Sequence, residues 1–352
     1  MKAVIDEKIP YLREALGAMG VDVVALPGSA IGNGDLLDAQ ALFVRTRTRC
    51  DAALLTGTAV RFIGTATIGY DHIDTGYCKE NGIVWTNAAG CNAGAVLQYV
   101  QSVIYSWARD NARTIAGLTL GIVGVGEIGS RVAAWARSVG MKVLANDPPK
   151  GDAGVTGLVT LNEIAEQSDI ITFHPTLNVE GRYKSYHLAD EAFFAALKHC
   201  CLLINASRGP VVDNDALLAA LDNGSVGCAA IDVWENEPEI NIDLLNKVYI
   251  ATPHIAGYSA EGKMNATAIV LNEFARYVGY GAEMPLLQLE KPEPIAVDAG
   301  GEQDVLLAIY SPFGDSGMLK SAPETFESLR NNYKLRREPG AYGIVTKCEV
   351  EL

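Results

Sequence analysis

Short apolar runs rich in β-branched residues alternate with stretches of helical spacing along most of the chain. KAVID, VDVVAL, ALFVRT, VRFIGTAT and GIVWTNA read as strands in its first quarter. From Asn92 the segment NAGAVLQYVQSVIYSWARDN carries apolar residues at helical spacing and predicts a long helix. LGIVGV, MKVLAND, DIITFHP, CLLINAS, AAIDV and VYIATP follow as near-continuous apolar runs, the pattern of a parallel sheet covered on both faces. A second long helix is predicted from Ala260 to about Val278. The alternation predicts an α/β fold built on parallel sheets.

The pattern breaks between Met284 and Gly301, where PLLQLEKPEPIAVDAGG is rich in Pro, Gly and charge and marks a boundary. Beyond it the tail predicts a strand at VLLAIY, a helix at ETFESLRNNYKLRR and a final strand at GIVTKCEVEL. So short a tail buries little core alone and is expected to pack on something else, a second copy of the chain included.

Composition narrows the function classes. Of 352 residues, 49% are hydrophobic and 20% charged, an ordinary globular balance. A net charge of −14 argues against sequence-independent nucleic-acid binding, which needs a broad basic face. The apolar stretches are broken well short of a membrane span, and MKAVIDEKIPYLREAL lacks the form of a secretory signal. The seven cysteines are scattered without a CxxC pair, which excludes zinc or iron–sulfur spacing and suits a reduced cytoplasmic protein. No metal site is expected.

The run TLGIVGVGEIGSRVAAWARSVGMKVLAND holds a GxGxxG between a strand and an amphipathic helix. Gly124 permits the tight turn, Gly126 lets backbone approach a pyrophosphate, and Gly129 lets the helix pack on the sheet. The helix N-terminus, with the N–H groups of Glu127 and Ile128, stabilises the phosphate charge. Asp147 lies 18 residues past Gly129, at the end of the next strand. It suits ribose hydroxyls and repels a 2′-phosphate, so the expected cofactor is NAD. Three later stretches, INASRGPVVD, DVWENEPEIN and TPHIAGYSAEGK, each follow a predicted strand of the same sheet. Residues at the carboxyl ends of parallel strands converge on the ligand crevice, which gives Arg208, Glu237 and His254 a reason to meet.

With the glycine loop, the helix from Asn92, RGPVVD, DVWENEP and PHIAGY, the chain resembles the D-isomer-specific 2-hydroxyacid dehydrogenase family. GTATIGYDHID, the DPP that begins at Asp147, YKSYHLAD and HIAGYSAEGK resemble a branch of that family acting on a phosphorylated 2-hydroxy acid. The resemblance implies two Rossmann-like domains: a discontinuous substrate-binding lid at 1–91 and 256–284, and an NAD-binding domain at 92–255. It also implies a small α/β C-terminal domain at 285–352 and a homodimer. In that family His254 is the acid/base for the C2 hydroxyl, Glu237 orients it, and Arg208 pairs with the substrate carboxylate. Ser207, Asp232 and Gly257 are implied for the cofactor and Tyr258 for the substrate. Two positions depart from the family pattern: Pro175-Thr176 stands where it has Thr-Pro, and Gln98 stands where an acidic residue is usual.

The stretch FVRTRTRC places Arg45, Arg47 and Arg49 at every second position. While a strand lasts, Thr46 and Thr48 face opposite to them; a turn near Arg47 breaks the alternation. The resemblance assigns Arg45, Thr46 and Thr67 to the substrate, the two threonines to its phosphate. Arg47 is a further candidate and Arg49 a solvated charge.

Overall fold

The computed structural model describes residues 1–281, 289–297 and 301–346. The chain divides into two compact units, Met1–Asn92 with Ser259–Lys291, and Ala93–Tyr258 with Pro292–Leu352.

The first unit is a parallel sheet of β1 (Lys2–Asp6), β2 (Asp22–Leu26), β3 (Ala41–Val44), β4 (Phe62–Thr65) and β5 (Val84–Asn87), in the order β2-β1-β3-β4-β5. Val4 pairs with Val24 on one side and Leu42 on the other. Alternate residues of these apolar runs feed two cores. Phe43 and Phe62 join Leu12, Leu16 and Phe274 on one face, while Leu42, Val44 and Ile63 meet Leu36 and Leu55 on the other. Phe274 belongs to the helix Ala260–Val278, and its ring lies 5.3 Å from Phe43 and 5.2 Å from Phe62. Gly64 makes room for this helix, since a Cβ there would stand 2.8 Å from the Phe43 ring and 3.3 Å from Val270. A segment nearly two hundred residues downstream therefore completes the N-terminal core, which is why this unit is discontinuous.

The second unit holds a parallel sheet of β6 (Thr119–Val123), β7 (Lys142–Asn146), β8 (Ile170–Phe173), β9 (Leu202–Asn205), β10 (Ala229–Ile231) and β11 (Ile250–Ala251). Its order is β11-β10-β9-β8-β6-β7, so strand order reverses between β6 and β8. Ligands bind at such a reversal, outside the carboxyl ends of the strands. The helix Ala93–Asp110 and the helix Glu127–Ser138 cover one face through Tyr99, Val103, Trp107, Val132 and Trp135.

From Pro292 onward the segment expected as a domain of its own groups with this unit. The run VLLAIY, expected as a strand, is instead the end of the helix Glu302–Ile309, followed by Tyr310 in extended backbone. A six-residue apolar run does not distinguish a strand from a buried helix, and here Gly301, Glu302 and Asp304 provide a helix start. Leu306 and Tyr310 pack against the helix Ala93–Asp110 core, and Leu319 and Phe326 join the core on the other face. The helix expected over ETFESLRNNYKLRR is confined to Phe326–Asn331. Within the stretch expected as a linker, β12 (Ile295–Val297) pairs in parallel with β13 (Ile344–Thr346), where the final strand was expected; its later residues lie outside the described ones.

Candidate active site

The glycine loop follows β6 at the strand reversal. Gly124 has φ +87°, and a Cβ there would lie 2.5 Å from the Pro175 nitrogen and 2.7 Å from the His174 carbonyl carbon. The backbone after β8 thus packs directly on the loop, and Pro175 contributes its main chain to that contact. Gly129 lies so close to the loop that its Cβ would stand 2.0 Å from the Gly124 carbonyl oxygen. Gly126 faces open space, and no side chain caps the helix that begins at Glu127. Open room above one glycine, close packing under two others, and uncapped N–H groups at a helix start together fit a pyrophosphate.

Asp147 ends the strand beside β6. Its Oδ2 accepts from the Val125 N–H at 2.8 Å and its Oδ1 from the Lys150 N–H at 3.1 Å. The carboxylate therefore ties β7 to the glycine loop while capping the helix Pro148–Asp152. His174 is half-buried beside the loop, its Nδ1 enclosed and its Nε2 bonded to Thr172 Oγ1 at 2.9 Å. Burial pushes this imidazole down to about 3, so it is neutral at physiological pH.

Arg208, Glu237 and His254 follow β9, β10 and β11, three neighbouring strands. His254 Nδ1 and Glu237 Oε2 are 2.8 Å apart, and Glu237 Oε1 accepts from the Trp234 N–H at 2.9 Å. Burial works to raise the Glu237 pKa, but the His254 hydrogen bond and charge, the Trp234 N–H and the Arg330 charge outweigh it. The carboxyl is held below its usual range. Arg208 Nη1 donates to the Ser207 carbonyl at 2.8 Å. Ser207 is buried, with its N–H and Oγ both on Asn205 Oδ1 at 3.2 and 3.0 Å. Gly209 fixes the spacing of these loops: its Cβ would lie 1.9 Å from the Trp234 carbonyl oxygen, so the Arg208 turn is seated on the strand end that leads to Glu237.

Asp232 is buried with both oxygens engaged. Oδ1 accepts from Thr252 Oγ1 at 2.7 Å and the Ile255 N–H at 2.8 Å, and Oδ2 from the Ala256 N–H at 2.9 Å. Its own carbonyl accepts the His254 N–H at 2.7 Å. Burial raises its pKa against the opposing pull of the His254 charge and these hydrogen bonds. Gly257 sits in the turn that the Tyr258 N–H closes on the Ile255 carbonyl at 2.9 Å. The Tyr258 ring meets Tyr333 edge-on at 6.1 Å.

The carbonyls of this same peptide pair are held from the C-terminal segment. Arg336, buried, donates from Nη1 to the Ile255 carbonyl at 2.9 Å and from Nη2 to those of Ala256 and Ala95, the latter at 3.0 Å. Its Nε donates to Gln98 Oε1 at 3.1 Å, and Gln98 Nε2 donates to the Arg337 carbonyl at 3.1 Å. The uncharged residue at position 98 thus accepts from one tail residue and donates to the next, which a carboxylate does not do. The sequence signal for this anchor was the tail run FESLRNNYKLRRE, whose arginines have no visible partner in the linear pattern.

In the first unit β3 stops at Val44, before any of the three arginines, and a turn runs from Arg45 to Thr48 with the Thr48 N–H on the Arg45 carbonyl at 3.3 Å. The period-2 alternation therefore does not apply. Arg45 is turned to the buried Asp6 at the end of β1, with Nε 3.0 Å from Oδ2 and Nη2 3.4 Å from Oδ1. This pair stands where strand order reverses in its own sheet. Thr46 and Arg47 are exposed, while Thr48 is buried with its hydroxyl on the Gly28 carbonyl at 2.7 Å. Arg49 is exposed and pairs with Asp51 at 3.0 Å. Thr67 is half-buried, its hydroxyl 2.7 Å from Thr65 Oγ1 and donating to the Gly69 carbonyl at 2.9 Å. Among the described residues one group has metal-ligand spacing, His187 with Asp213 and Glu235; the two ring nitrogens already meet the carboxylates at 3.3 and 2.7 Å.

The D-isomer specific 2-hydroxyacid dehydrogenase NAD binding domain matches residues 93–256. The chain is 48% identical over 346 residues to the erythronate-4-phosphate dehydrogenase of Bacteroides fragilis, across 98% of this chain and 99% of that one. The chain belongs to the erythronate-4-phosphate dehydrogenases of that wider family. The relative from Cronobacter sakazakii is 42% identical over 362 residues, covering 100% of this chain and 95% of its own. D-lactate dehydrogenase from Aquifex aeolicus, crystallised with NAD and lactic acid, superposes with a TM-score of 0.63 at 26% identity, over 79% of this chain and 96% of that one. Members of this family are NAD-dependent oxidoreductases, and this chain is one, with NAD as its cofactor.

Proposed function

We propose that the chain oxidises the C2 hydroxyl of 4-phospho-D-erythronate to the ketone, giving 2-oxo-3-hydroxy-4-phosphobutanoate, in the biosynthesis of pyridoxal phosphate. The observation that carries the reading is the His254–Glu237 pair at 2.8 Å, in the loops after β11 and β10 of the sheet that bears the glycine loop. Because Nδ1 faces Glu237, Nε2 is the ring atom that takes the hydroxyl proton. NAD, when bound, accepts the hydride from C2. Arg208 pairs with the substrate carboxylate, a bidentate task suited to a guanidinium. Gly124, Gly126, Gly129, Glu127 and Ile128 hold the pyrophosphate and Asp147 the adenosine ribose, with Ser207, Asp232 and Gly257 framing the nicotinamide end. Asp232 acts there through the peptide it holds, its own oxygens being engaged.

Thr46 and Thr67 are assigned to the phosphate, and Arg45 and Tyr258 to the substrate. The exposed hydroxyl of Thr46 and the anchored guanidinium of Arg45 suit a small dianion. The tail is too small to bury a large core alone, and a homodimer in which it gains cover is the expected assembly. Sedimentation would check it: a monomer at micromolar concentration is the contrary result. No helix among the described residues is long and apolar enough to cross a membrane, and no disulfide joins the described cysteines, in keeping with a cytoplasmic enzyme.

The deciding experiment is kcat/KM with NAD across 4-phosphoerythronate, 3-phosphoglycerate, glycerate and D-lactate. The expected preference for 4-phosphoerythronate is at least about a hundredfold, the range open to a site built around a charged substrate group. Equal turnover of the unphosphorylated acids would overturn the substrate reading and leave the dehydrogenase assignment intact.

A further inference from the structure

The C-terminal helix Phe326–Asn331 delivers a cation to the catalytic pair. Arg330 Nη1 lies 3.8 Å from Glu237 Oε2, the oxygen that also faces His254 Nδ1. The guanidinium is mostly buried, and its Nε is buried without a hydrogen-bond partner among the described residues. Tyr258 hydrogen-bonds the same guanidinium, and the charges of Glu237 and Asp232 act on it. Burial opposes the Arg330 charge, yet these neighbours outweigh it and hold the group firmly protonated. Its location follows from the next turn of chain, where Arg336 is bound to the carbonyls of Ala95, Ile255 and Ala256.

We propose that Arg330 is a positioning residue for the Glu237–His254 pair, fixing the carboxylate from the side opposite the Trp234 N–H and setting the pH range in which the pair works. This rests on the reading of that pair as the acid/base machinery. Glu237 is then gripped from three elements: the Trp234 backbone, the imidazole after β11, and a helix of the tail. The cation and the imidazole compete for one oxygen, so Arg330 limits how strongly Glu237 favours the protonated imidazole. The other titratable groups facing this cluster are Tyr258, Asp232 behind the His254 loop, and Tyr333, which lies beside Arg336 and Asp315.

Two polar variants separate this role from simple packing. Arg330→Gln keeps hydrogen-bonding capacity without charge, and Arg330→Lys keeps the charge without the planar fork. For oxidation, which needs a neutral base, loss of the cation moves the ascending limb of the kcat/KM profile to higher pH, by about half a unit or more. The expected result is that limb shift in the Gln variant, its reversal in the Lys variant, and about a tenfold lower kcat in the Gln variant with NAD affinity unchanged. Superimposable wild-type and Gln profiles would overturn the proposal, as would an equal displacement in both variants. An active His254→Gln enzyme would instead overturn the acid/base reading beneath it, so the two failures are distinguishable.

Discussion

His254 adopts φ +57°, a left-handed conformation uncommon outside glycine, and its backbone N–H is fixed on the Asp232 carbonyl. The ring is thereby presented by a strained backbone held from behind, with Glu237 on Nδ1. Replacement of His254 with Gln is expected to lower kcat by about 10²–10⁴-fold, the usual contribution of a positioned base, while fluorescence titration shows NAD binding retained. Glu237 makes a second, thermodynamic prediction. Its pKa is depressed in the fold, so its contribution to stability is present above the ordinary carboxylate range and lost as pH falls through the depressed value. The urea midpoint gap between wild type and Glu237→Gln is therefore expected to narrow as pH falls from 7 to below about 4. A gap independent of pH would contradict it. The placement of Arg208, Glu237 and His254 after strands was legible because each follows a short apolar run within a regular alternation of strand-like and helix-like segments. Asp6 as the partner of Arg45 was not, because the pair joins ends of adjacent strands that lie far apart in sequence.

Among the elements, the loops after β9 and β10 work as one piece because Gly209 touches the Trp234 carbonyl. Gly209→Ala would force its Cβ onto that backbone and separate the Arg208 turn from the Glu237 loop. Overpacking of this kind costs about 1–3 kcal/mol, and a misplacement approaching 1 Å costs about a hundredfold in rate. The expected outcome is a kcat lowered at least about tenfold together with a reduced Tm; wild-type activity would mean the loops are independent. The parallel strands and the glycine loop could be read in advance because each carries its signal locally. The tail could not: VLLAIY is equally apolar as strand or helix, and its packing against the helix Ala93–Asp110 decides the matter.

At the scale of the whole molecule, the second unit is closed by its own far end. Gln98 accepts from Arg336 and donates to the Arg337 carbonyl, joining the first helix of the unit to the tail. Gln98→Leu leaves a buried guanidinium short of an acceptor, an expected loss of about 1–3 kcal/mol by urea denaturation. An unchanged midpoint would show that the tail is held elsewhere. The composition gave no hint of this closure, because a chain of net charge −14 carries Arg330 and Arg336, both turned inward, in a run that reads simply as a helix.

The peptide of Ile255 and Ala256 is gripped twice, its N–H groups by Asp232 and its carbonyls by Arg336. In the order of synthesis these two grips are separated by a hundred residues of translation. A chain still on the ribosome carries the glycine loop, the base and its carboxylate while the second grip is unmade. That peptide is therefore held on both sides only after the tail clears the exit tunnel and docks.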